Sequence, residues 1–197
     1  MEKTKKSKLV IVHLILMFLL CALSIVSAVI IFTGNIPSGF EASEDTYKTT
    51  AALYGAAHVV NAFALACGIT YILKGSGKSA AMWYKTMILL IALGVVLRLI
   101  GTLIHPGFGL NACLMICIII ALLILCFVKN LGAKKSWIIF GVLITLELVL
   151  AVITFDKNEV MSSIAGNLSR LVLDGTIGLA IREKYADKAK RKAKSTI

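Results

Sequence analysis

Six long apolar runs, separated by short polar stretches, set the pattern of this chain. They cover about residues 9–33, 50–73, 86–104, 110–128, 137–155 and 161–181, each 19 to 25 residues long. A hydrocarbon core of about 30 Å takes roughly 20 helical residues to cross, so every run predicts a membrane-spanning helix. Pro37 and Pro106 both fall between runs, so no predicted helix is broken by proline. The expectation is an all-α integral membrane protein, with six transmembrane helices in a single compact bundle. A basic N-tail (1–8) precedes the transmembrane domain (9–181), and a basic C-tail (182–197) follows it.

The connecting stretches are short and polar. Residues 34–49 hold Pro37, two glycines and three acids, which reads as a solvent loop. Residues 74–85 form a basic loop with Trp83 and Tyr84 at interface level. His105-Pro106-Gly107 reads as a tight turn, 129–136 as a second basic loop and 156–160 as an acidic turn. The four lysines before the first run and Val26-Ser27-Ala28 within it resemble a signal peptide with its cleavage site. The run is longer than a signal core of about 7–15 residues and five more follow, so it is read as a retained first helix.

Composition agrees with this picture. Hydrophobic residues make up 59% of the chain, against about 45–50% in an ordinary globular domain. The net charge of +11 raises the question of nucleic acid. The Lys and Arg residues instead gather at the ends of apolar runs, leaving no soluble basic domain to hold a duplex. The two tails and the 74–85 and 129–136 loops carry nearly all of them, whereas the opposite loops hold only Lys48 and Lys157. By the positive-inside rule both termini are cytoplasmic. Short loops and no targeting signal suggest a multi-pass protein of the bacterial inner membrane. The tail REKYADKAKRKAK is expected to continue the last helix and to sit beside anionic lipids, each basic residue near the surface worth about 1 kcal/mol. A cytosolic protein partner is the other use for such a tail. Cys21, Cys67, Cys113, Cys117 and Cys126 all lie inside apolar runs, as packing residues rather than a disulfide framework.

Charge inside the runs is the chemically informative feature. In the last run Gly166, Arg170, Asp174 and Gly178 recur every four residues and form one helical stripe. Arg98 lies in the third run and Glu147 in the fifth, so the four intramembrane ions sum to zero. Ions at such depth must face protein, water or each other. The four-residue spacing suggests an Arg170–Asp174 pair along one helix, which leaves Arg98 and Glu147 as partners between the third and fifth helices. His58 and Asn61 in the second run share a face near the same depth, with Tyr54 one turn away and Asn167 and Ser169 in the last run. Small residues such as Ala51 and Gly55, or Ala62 and Ala66, mark the second helix as a closely packed interior one.

Charges of both signs, an amide and an imidazole suit a small polar or zwitterionic solute, or a proton relay. The leading expectation is therefore a transporter or solute-binding membrane subunit with candidate residues Arg98, Glu147, Arg170, Asp174, His58 and Asn61. The alternative is a scaffold or regulatory partner of another protein, in which the charges only fix helix packing. An intramembrane enzyme is a third reading with little behind it. His13, His58 and His105 lie at different depths, there is no His-Glu-x-x-His, and no Gly-x-Ser-x-Gly serine nucleophile or phosphate-binding glycine loop occurs. No catalytic residue, metal site or cofactor is expected. In length, span count and cytoplasmic ends the chain resembles the small substrate-binding subunits of energy-coupling-factor vitamin transporters. That resemblance is architectural and carries no site residue across.

Overall fold

In hydrocarbon a backbone must satisfy its own hydrogen bonds, which long aliphatic runs do as helices. A computed structural model of the chain describes residues 8–33, 44–75, 77–104, 109–128, 131–154 and 160–194. Among these residues all regular structure is helical: α1 (Lys8–Phe32), α2 (Glu44–Lys74), α3 (Lys78–Ile104), α4 (Leu110–Phe127), α5 (Ala133–Ile153) and α6 (Val160–Lys194). All six are long and apolar enough to cross a membrane. The two prolines, the His105-Pro106-Gly107 turn and most of the N-tail lie outside the described residues.

α1 and α4 end within a residue of their apolar runs, but α2, α3 and α5 begin four to eight residues earlier than hydropathy alone indicates. Hydropathy marks where lipid stops, not where helical hydrogen bonding stops. Lys78-Ser-Ala-Ala-Met and Ala133-Lys-Lys-Ser contain good helix formers, and the helix continues through them. The α2–α3 turn is compressed instead into a few residues around Gly75 and Gly77, both at positive φ (70° and 118°). Glycine adopts that conformation without steric cost. α6 likewise runs on past Ile181 to Lys194.

Each helix packs on its neighbours in sequence, α6 returns to α1, and α2 touches α6 across the middle. The bundle thus has a five-helix interior bounded by α2 to α6, with α1 laid outside against α2 and α6. Glycines make these contacts close. The Phe32 ring of α1 covers Gly55, and Met17, Met87 and Leu173 converge on Gly68. Asn61 and Tyr54 of α2 sit over Gly94 and Gly101 of α3. The second helix is therefore an interior one: 56% of its most apolar 18-residue stretch is buried, against 22% for that of α5. The highest value, 67%, belongs to α6.

One contiguous apolar core, including Leu65, Ile88, Ile118, Leu122, Leu143 and Ile177, fills the middle of the bundle. Large hydrophobic side chains also cover the outside, among them Leu9, Phe18, Ile120, Ile138 and Val152. That is the surface expected of helices solvated by lipid tails. The cysteines divide between the two environments. Cys67 is buried, whereas Cys113 and Cys117 are exposed on α4, so packing does not explain all five.

Candidate functional site

The α6 stripe faces inward. Arg170 and Asp174 are 2% and 1% exposed, and Glu147 of α5 is 1% exposed. Arg170 does not pair with Asp174 as its spacing suggests. Its Nη1 lies 3.2 Å from Glu147 Oε2, a close ion pair between α5 and α6. Its Nη2 donates to Asn167 Oδ1 at 2.7 Å, and Asn167 Nδ2 donates to the Ala151 carbonyl at 3.3 Å. The reason is directional. Helical side chains lean toward the helix N-terminus, which carries the Arg170 guanidinium toward Asn167 and away from Asp174. An acid-first order would have favoured pairing along the helix.

The expected Arg98–Glu147 pair is also not formed. The Arg98 guanidinium is packed against the bare backbone of Gly166, which leaves no space there for a Cβ. No carboxylate among the described residues lies within ion-pair distance of Arg98, and its Nε has no hydrogen-bond partner. Arg98 nonetheless lies within electrostatic reach of Arg170, Tyr54 and Glu147. Asp174 is within such reach of Glu147 and Arg170, while its Oδ2 is buried without a hydrogen bond.

α2 supplies the facing wall. His58, 2% exposed, is within electrostatic reach of both Arg98 and Arg170. Asn61 is 1% exposed and its Nδ2 lacks a partner. Toward the end away from the termini, the Tyr54 hydroxyl donates to Thr102 Oγ1 at 3.4 Å, and Thr102 donates to the Arg98 carbonyl at 2.9 Å. The structure thus brings Arg98, Glu147, Arg170, Asp174, His58 and Asn61 into one buried polar layer. Arg98 and Asp174 remain without an ion pair inside it.

Counted along the helices, the layer is off centre. Arg98 is six residues before the end of α3, and Arg170 ten residues after the start of α6. This places them about 9 and 15 Å from the bundle end opposite the termini. Sequence reasoning missed the share taken by α1, where Ser24 and Ser27 are buried and Ser24 Oγ lies 3.3 Å from Ser169 Oγ. Their three-residue spacing in an otherwise aliphatic run was the available signal. It also passed over His13, whose Nε2 is 3.0 Å from Thr176 Oγ1, tying α1 to α6. Among the described residues no three His, Cys, Asp or Glu side chains gather to hold a metal ion.

Fold and site together define an all-helical bundle of six membrane-length helices around a buried, charge-balanced cluster. Comparison with protein-family models, curated proteins and solved structures finds no match to this chain.

Proposed function

We propose that this chain is a multi-pass membrane protein that binds or carries a small zwitterionic or polar solute, with its site in the Arg98–Asp174 layer. One observation carries the reading: a guanidinium and a carboxyl group, those of Arg98 and Asp174, are buried in the same layer with no ion-pair partner among the described residues. A structural network gains by closing every pair, because a lone ion at depth costs several kcal/mol. A solute with an anionic group near Arg98, Arg170 and Asn61, and a donor group directed at Asp174, would offset that cost. The cluster atoms are shielded from solvent, so entry requires helices to separate, and the bare-backbone contact at Gly166 is a natural seam. The charge bias of the loops orients both termini to the cytoplasm, with the basic tail against anionic lipid.

Native mass spectrometry of protein released from its own membranes in mild detergent tests this reading. A reproducible small-molecule adduct lost in both Arg98→Ala and Asp174→Asn supports it. An adduct unchanged by either substitution removes it.

The second reading, a scaffold or regulatory partner, is favoured by the Glu147–Arg170–Asn167 chain, which fastens α5 to α6. On that reading the charge swap Glu147→Arg with Arg170→Glu preserves function better than either change alone.

A further inference from the structure

The other end of the five-helix interior contains a separate cavity. A pocket of about 240 Å³ opens at the end that carries both termini, lined by α2, α3, α4, α5 and α6. Six and seven residues of α6, just under two turns, separate its floor, Ala180 and Ile181, from Asp174. The buried apolar core, with Ile177 on α6 itself, lies between the two polar regions.

The chemistry of this pocket differs from that of the buried layer. Its walls include Tyr71, Tyr84 and Tyr185, together with Ser136, Glu183 and Lys184. The Tyr71 and Tyr84 rings are inclined at 48° with centroids 5.6 Å apart. Tyr71 donates its hydroxyl to Glu183 Oε2 at 2.9 Å, fixing the carboxylate beside those rings with its other oxygen uncommitted to that bond. Ser136 and Tyr185 are 2.8 Å apart, and Tyr185 donates to the Leu131 carbonyl, which locks the opposite wall. The rim is bare at Gly75 and Gly77, where no atom stands within 4 Å of a built Cβ.

We propose that this pocket binds an organic ammonium group, held by the Glu183 carboxylate and the faces of Tyr71 and Tyr84. Aromatic faces attract cations through the ring quadrupole, and an adjacent carboxylate supplies the full countercharge. The same attraction is already used on the rim, where Lys184 Nζ stands 5.7 Å from the Tyr185 ring centre. Lys184 also offers a place for an anionic group on the same ligand. Two sources present this chemistry: a free amine-bearing solute, or the ammonium of an aminophospholipid headgroup. The site stands apart from the Arg98–Asp174 layer and does not depend on it.

The test is isothermal titration of the full chain in detergent with benzylamine, cationic at neutral pH, and with benzyl alcohol, its neutral counterpart. Benzylamine is expected to bind and benzyl alcohol to bind far more weakly. Glu183→Gln keeps an oxygen to accept the Tyr71 hydrogen bond but removes the charge, and should weaken benzylamine by roughly tenfold or more. Tyr84→Leu should weaken it too, whereas Gly141→Ala, where an added Cβ meets nothing within 4 Å, should leave it unchanged. Equal binding of amine and alcohol, or Glu183→Gln binding like the parent, overturns the proposal. Native mass spectrometry with added phosphatidylethanolamine or phosphatidylglycerol separates the sources. Glu183-dependent retention of the ethanolamine lipid assigns the site to lipid; its absence, with benzylamine binding intact, assigns it to a solute.

Discussion

The guanidinium of Arg98 on α3 lies against the backbone of Gly166 on α6, in the space where any other residue would place its Cβ. The contact joins two helices that otherwise meet little, and it holds a cation beside Arg170. Gly166→Ala therefore separates position from charge. The obstructing atoms are the far end of a flexible side chain, so Arg98 yields at small cost, and alanine returns about 0.5–1 kcal/mol of helix stability. The expected outcome is thermal stability close to the parent with loss of any Arg98-dependent adduct. Parallel melting curves and native mass spectra check both halves.

Arg170 and Glu147 should behave as a coupled buried pair. Removing one partner strands the other, at a cost of about 3–5 kcal/mol, so Glu147→Leu and Arg170→Leu are each expected to destabilise strongly. The double substitution should cost much less than the two singles combined. Unfolding of all four proteins in a graded detergent mixture measures that coupling. Additive losses would show that the 3.2 Å pair contributes no interaction of its own.

Much of this arrangement is legible in the sequence. Run length gave the six helices, and the cost of lone charges in lipid turned Arg98, Glu147, Arg170 and Asp174 inward. Partner choice was less accessible. Spacing alone suggested Arg170–Asp174, but side-chain lean favours the neighbouring helix, and which helix is the neighbour depends on tertiary packing. The starts of α2, α3 and α5 lie ahead of their apolar runs because hydropathy reports solvent rather than backbone hydrogen bonding. The terminal-end pocket left no sequence signal at all. Ser136, Glu183 and Tyr185 are ordinary residues of tail and loop until five helices bring them together.

Two glycines make a contrasting pair. A Cβ at Gly178 would stand 2.8 Å from the Phe140 ring, whereas one at Gly141 meets nothing within 4 Å. Gly178→Ala must shift an aromatic ring packed against the core and is expected to cost about 1–3 kcal/mol. Gly141→Ala should be neutral or slightly stabilising. Melting temperatures in one detergent decide it, and equal shifts would contradict the packing at Gly178.

Orientation is open to direct labelling. Gly109 and Gly132 are exposed at opposite ends of the bundle. In a background free of native cysteines, Gly109→Cys should react with a membrane-impermeant maleimide in intact cells. Gly132→Cys should react only after lysis. The reverse pattern would place the basic loops outside and overturn the charge-based orientation.

The unbroken course of α6 has a mechanical consequence. Its 35 residues form one rod about 52 Å long, far more than a bilayer's hydrocarbon thickness. Arg170 and Asp174 sit on the same shaft as the basic turns beyond Ile181, which hydrogen bonds at Glu183 and Tyr185 fasten to the rest of the bundle. Because the helix is unbroken, a tilt of its basic end is shared by both buried side chains.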